Sequence, residues 1–183
     1  MDKLNPYIGK RTLIIGDVNT GKTGRTLEIL QLFLMEGYAK KIAILDMGIE
    51  PVQGIGGKMK PPEGEPVLYL TNPITAPRLM GKDENYTLQL AEENARNIEK
   101  LFIKFQQEKR KILFVNDATL YLQAGRLERF IEIINTASTQ VINAYYGSAF
   151  SDSELTRRER RLTKDFMKIC DHVITMPCHG PIV

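Results

Sequence analysis

Eight residues near the amino end, Gly16-Asp17-Val18-Asn19-Thr20-Gly21-Lys22-Thr23, constrain this chain more than any other stretch. Glycine stands at the two positions, Gly16 and Gly21, where a loop wrapping an anion must turn sharply and bring its backbone close without a Cβ in the way. The run Thr12-Leu13-Ile14-Ile15 precedes the loop, and Lys22 to Met35 follows with Leu27, Leu30 and Leu34 at helical spacing. A buried strand therefore feeds a turn that opens a helix. The N–H groups of such a turn and the positive end of the helix together form a nest for phosphate. Roughly one random chain of this length in a hundred would carry the pattern by chance, before the flanking strand and helix are demanded as well.

The rest of the chain alternates in the same way. Ile42 to Leu45, Ile112 to Val115, Val141 to Tyr146 and Val173 to Met176 read as strands, with Val67 to Leu70 a further short candidate. Helical periodicity is clearest over Glu84 to Arg110, where Ala91, Ala95, Ile98, Phe102 and Phe105 share a face. Leu122 to Thr136 and Ser153 to Ile169 are also expected to be helical, the latter with Leu155, Leu162, Phe166 and Ile169 inward and a capping box of Ser151 with Glu154. Apolar runs without alternation imply burial on both faces, and intervening helices imply crossover connections and a mainly parallel sheet. The expectation is one α/β domain over residues 1–183, three layers thick, with about five core strands. A long Gly- and Pro-rich loop runs from Met47 to Pro66.

Composition narrows the function classes little. Hydrophobic residues make up 43%, charged residues 26%, and the formal net charge is +3, which admits a nucleic-acid or nucleotide partner without requiring one. Cys170 and Cys178 form no metal-binding pattern, and a reducing cytoplasm is the expectation. Met1 to Lys10 has no apolar signal core, and no apolar run approaches the ~20 residues of a membrane span.

Within the loop, Gly16 through Gly24 is expected to surround phosphates, Lys22 to reach the β- and γ-phosphates, and the Thr23 hydroxyl to ligate Mg²⁺. Two strand-end carboxylates are candidate partners. Asp117 follows Ile112–Val115 and is expected to hold Mg²⁺ with Thr23, while Asp46 closes Ile42–Leu45 and is a candidate base or second metal residue. No glutamate follows Asp117, where motor-type and strand-exchange ATPases place a water-activating one. The chain has no N-K-x-D guanine-reading motif, so ATP is favoured over GTP; the nearest strand-end segment is Asn143-Ala144-Tyr145-Tyr146. Arg157, Arg158, Arg160 and Arg161 crowd one helix, and Arg157 and Arg161 are candidate lid residues, against the alternative of a solvated charged face. Arg78 and Lys82 are candidate contacts for an anionic acceptor, and Cys178-His179-Gly180 for the base of the nucleotide.

By its Gly16–Thr23 motif and its strand–helix rhythm the chain resembles the P-loop NTPase superfamily. That resemblance implies a three-layer P-loop fold, a bound nucleotide and Mg²⁺. Asp46 with Gly48, Pro51 and Gln53 is similar, more weakly, to the 5′-hydroxyl polynucleotide kinases of RNA processing, whose pattern carries a second Asp where this chain has Gly48. Three functions stand open: transfer of the γ-phosphate to a nucleotide, nucleic-acid or other hydroxyl; slow hydrolysis driving a switch on a protein partner; and nucleic-acid binding assisted by ATP. Strand order bears on the choice, because the strand carrying the acidic metal partner lies beside the P-loop strand in kinases and one strand away in motor ATPases.

Overall fold

The computed structural model describes residues 3–177. Six parallel strands form one sheet: β1 (Arg11–Gly16), β2 (Ile42–Asp46), β3 (Leu68–Thr71), β4 (Ile112–Asn116), β5 (Thr139–Tyr145) and β6 (His172–Thr175), in the order β3-β2-β4-β5-β1-β6. The sheet thus has six strands rather than about five, because the short runs at both edges pair as well. Six α-helices accompany it among the described residues: α1 (Lys22–Met35), α2 (Pro77–Met80), α3 (Glu84–Gln107), α4 (Thr119–Leu122), α5 (Leu127–Ile134) and α6 (Glu154–Met167).

The central strands are apolar throughout because each supplies two cores. Ile14, Ile42, Ile44, Ile112, Phe114 and Val141 pack with Ile29, Leu30 and Phe33 of α1 on one face. Their neighbours Leu13, Ile15, Ala43, Leu45, Leu113, Val115 and Ile142 pack on the other face with α3, α4, α5 and Phe166 of α6. The period-2 geometry of a strand makes this division, and the result is a three-layer α/β arrangement.

Several local features depart from the sequence expectations for physical reasons. The helix expected over Leu122 to Thr136 shortens to α5 and shares only Leu122 with the preceding α4; between them Gly125 packs so close to Tyr121 that a Cβ would lie 2.4 Å from its ring. Ser153, not Ser151, caps α6, its side chain accepting from the Thr156 N–H at 3.1 Å. Ile169 lies beyond the end of α6 and is 43% exposed rather than inward. No helix among the described residues is long and apolar enough to cross a membrane.

The connections set up a crevice. The helix after β1 packs on one face, and α4, α5 and α6, which follow β4 and β5, pack on the other. Strands β1 and β5 are neighbours, so the chain leaves their carboxyl ends in opposite directions. Ligand sites of open α/β sheets form at such switch points.

Candidate functional site

A cavity of ≈ 380 Å³ opens at this switch point. Its floor is the loop from Val18 to Gly24; Asn116 and Asp117 follow from β4, Asn143 and Tyr145 from β5, and Ile55 to Gly57 and Arg78 close the sides. The residues of the predicted anion loop and Asp117 therefore meet in one place, although β4 and β1 are separated by β5.

The loop is built as its glycines require. Gly21 is the residue before α1 and has φ 83°, a left-handed conformation that favours glycine. Gly16 has no room for a side chain, since a Cβ would lie 2.6 Å from Thr20 Oγ1 and 3.0 Å from Met176 Cβ. Asn19 takes φ 56°. Lys22 Nζ folds back over the loop and donates to the Asp17 carbonyl at 2.5 Å. Burial pulls the Lys22 pKa below the usual lysine range, against the opposing pull of Asp117 and Asp17. Asp17 turns its carboxylate away from the nest, accepting from Val18 N–H at 2.7 Å and Ser148 N–H at 2.9 Å. Partial burial would raise its pKa, but these backbone donors win and hold it below the usual range.

The polar groups at the ends of β4 and β5 form one network behind the loop. Thr23 Oγ1 donates to Asn116 Oδ1 at 3.2 Å. Asn143 Nδ2 reaches both Asn116 Oδ1 and Thr26 Oγ1 at 3.0 Å, and Thr26 donates to the Lys22 carbonyl at 2.8 Å. Asn116 Nδ2 in turn donates to Asp46 Oδ1 at 2.8 Å and to the Gly57 carbonyl at 2.9 Å. The side chain facing Thr23 is thus the amide of Asn116, and the first carboxylate in the cavity is one residue further on. The sequence does carry a signal for both: Asn116 ends the run Ile112-Leu113-Phe114-Val115, and Asn143 interrupts another apolar run.

Asp117 sits in a strained backbone conformation, φ 59°. Left-handed non-glycine residues cost of order 1–3 kcal/mol and persist only where the surroundings impose them. Here Asn143 Oδ1 accepts the Asp117 N–H at 2.8 Å, and Thr119 Oγ1 donates to Asp117 Oδ1 at 2.5 Å. Burial of the carboxyl group pushes its pKa above the usual range, while Thr119, Lys22 and Arg78 pull the other way without overcoming it.

Asp46 is placed differently. It is fully buried and does not line the cavity. Its Oδ1 accepts from Gly48 N–H at 3.1 Å and from Asn116 Nδ2, and its Oδ2 accepts from Met59 N–H at 2.7 Å and Tyr69 OH at 2.6 Å. All four neighbours donate, so Asp46 ties the Met47–Pro66 loop to the sheet. Gly48 completes the fit, because a Cβ there would lie 2.4 Å from both Asn116 Nδ2 and the Gly57 carbonyl. A second aspartate of the kinase pattern has no space at that position.

The arginines of α6 are also elsewhere. Arg157 pairs with Asp152 at 2.5 Å on the surface and borders a second cavity, and Arg161 is exposed. Arg158 holds the Gly125 carbonyl, and Arg160 holds the Gly147 carbonyl and lies over Tyr146. None of the four lines the main cavity. The arginine that does is Arg78, ion-paired with the buried Glu159 of α6. Lys82 is exposed outside the cavity, and Cys178, His179 and Gly180 lie outside the described residues.

No group of three or more His, Cys, Asp or Glu side chains able to hold a metal occurs among the described residues. Mg²⁺ needs no such cage when phosphate oxygens and water fill most of its shell, and it then takes one or two protein ligands. The Thr23 hydroxyl, its proton directed to Asn116, keeps lone pairs free for that role, and Asp117 is the carboxylate in the same cavity. These residues fit a phosphate-bound Mg²⁺.

Together these observations define a parallel α/β protein with a glycine-turned loop at the switch point of its sheet. No protein-family model and no curated protein matches the chain.

Proposed function

We propose that the chain is a P-loop protein that binds ATP with Mg²⁺ and activates a nucleophile for attack on the γ-phosphate through Asp117. The observation that carries this reading is the Gly16–Thr23 loop at the cavity floor, with Lys22 folded over it and Asp117 held against it by Asn143 and Thr119. The strand order supports hydrolysis over a kinase topology, because β5 stands between β1 and the Asp117 strand. With Asn116 facing Thr23, Asp117 occupies the next position, which motor-type and strand-exchange ATPases give to a water-activating glutamate. A carboxyl group whose pKa is raised by burial suits a general base.

In this mechanism the backbone nest and Lys22 bind the phosphates, and the Thr23 hydroxyl would hold Mg²⁺, which supplies charge neutralisation when bound. Asp117 takes the proton of the attacking hydroxyl or water as its oxygen bonds to the γ-phosphorus. The bond from that phosphorus to the bridging oxygen breaks, and its electron pair leaves on ADP. The test is incubation with γ-labelled ATP, Mg²⁺ and a panel of hydroxyl acceptors, with Lys22→Ala as control. Label on an acceptor supports a transferase, and free phosphate supports an ATPase. No nucleotide binding by the intact chain refutes the proposal.

One observation favours a nucleotide-dependent switch as a second reading. Asn116 touches both Thr23 and the Gly57 carbonyl, so a change at the Thr23 hydroxyl reaches the Met47–Pro66 loop through a single side chain. Hydrogen exchange of residues 48–58 that is identical with ADP and with a non-hydrolysable ATP analogue would rule this out.

A further inference from the structure

The main cavity extends past the anion loop to a second cation that the phosphate site does not use. Arg78 comes from α2, which opens with Pro77 and closes at Gly81, and its side chain is only 14% exposed. Its guanidinium carbon lies 3.8 Å from the centre of the Phe150 ring and 5.1 Å from that of Tyr145. One nitrogen, Nη1, donates to Glu159 Oε1, and among the described residues this is the sole hydrogen bond of the guanidinium. The other donors of the fork are therefore free at a cavity wall.

Glu159 is fixed from its other oxygen by Gln123 Nε2 at 2.9 Å. That contact sets the orientation of the Gln123 amide, since the nitrogen must face the carboxylate. Gln123 also borders the cavity and is 2% exposed. The surrounding wall is apolar, with Ile49, Ala76 and Leu120.

We propose that Arg78 and the Phe150 ring form a subsite for a second substrate: a small organic anion with a flat or apolar body. Its carboxylate or phosphate takes the free edge of Arg78, and its body lies against Phe150 and the apolar wall. Ion pairing with Glu159 and stacking on Phe150 hold the guanidinium in place, so little side-chain entropy is lost on binding. This rests on the nucleotide reading only in calling the anion a second substrate; the subsite itself does not need it. A guanidinium bordering the cavity of Asp117 would bring an acceptor hydroxyl to the proposed base.

The test uses phenyl phosphate as probe, titrated calorimetrically into the full chain saturated with Mg·ADP, so that the anion loop is already filled. Losing a charge-assisted hydrogen bond costs about 1.5–3 kcal/mol, so Arg78→Met is expected to weaken phenyl phosphate by roughly tenfold to a hundredfold relative to ADP. Arg78→Lys, which keeps the charge and loses the fork, is expected to fall between. Because Arg78→Met strands Glu159, the double variant Arg78→Met/Glu159→Gln serves as the folded control, checked by circular dichroism. Equal phenyl phosphate affinity in wild type and the double variant overturns the subsite, as does a wild type that binds ADP but no phenyl phosphate. A wild type that binds phenyl phosphate through Arg78 but no ADP leaves the subsite standing and overturns the nucleotide reading instead.

Discussion

Replacing Asp46 by Asn separates a structural carboxylate from a catalytic one. Its two oxygens accept four hydrogen bonds, and each donor has a fixed or nearly fixed direction. An amide nitrogen at the Oδ1 position would face the Gly48 N–H and the Asn116 amide, which Thr23 and Asn143 already orient. At the Oδ2 position it would face the Met59 N–H, while Tyr69 could turn its hydroxyl to accept. The second arrangement is the less costly. It still orphans one buried N–H, at about 1–3 kcal/mol, and weakens two charge-assisted bonds to neutral ones, at about 1 kcal/mol each. Relief of a buried charge offsets part of this. The expected net loss is about 2–4 kcal/mol, or roughly 4–16 °C in Tm for a chain of this size. Urea unfolding of the nucleotide-free protein measures it, and hydrogen exchange should show the Met59 amide losing protection first. An unchanged unfolding midpoint together with lost ATP turnover would refute the reasoning and return Asp46 to a chemical role.

Asp117→Asn should abolish turnover while raising the stability of the nucleotide-free protein near pH 8. The sign follows from the raised Asp117 pKa: the native state holds its proton more tightly than the unfolded chain, so wild-type stability falls as pH rises through the carboxyl titration. The advantage of the variant should therefore vanish below pH 3.8, where Asp117 is protonated in both states, and parallel urea curves would show it. Gly48→Ala should destabilise by about 1–3 kcal/mol through overpacking against Asn116 and Gly57, and an unchanged midpoint would mean that the loop yields freely. Burial pushes the Cys170 thiol up to about 12, so in a Cys178→Ser background it should resist alkylation at pH 8 until the chain unfolds; rapid labelling of the native protein would contradict this.

The sequence by itself determined most of the elements and the glycine-bearing turn between β1 and α1. Both signals are local: the apolar runs report burial, the spacing in α1 and α3 reports a helix face, and Gly16 and Gly21 report backbone geometry that few other residues accept. It also brought Asp117 into view, because a carboxylate after an apolar run is visible without a fold. Tertiary structure alone decided which polar group faces which. Asp46 and Asp117 have the same form in sequence, yet one is closed in by four donors and the other lines the cavity, because their surroundings come from segments far away in the chain, such as Asn116 beside Asp46 and Lys22 beside Asp117. Likewise α6 spends Arg158 and Arg160 on backbone carbonyls, while its buried Glu159 holds the arginine that does reach the cavity, Arg78, from 81 residues earlier. Charge spacing along a helix gives no sign of such a pairing, since the partner is fixed by how the layers pack rather than by the local chain.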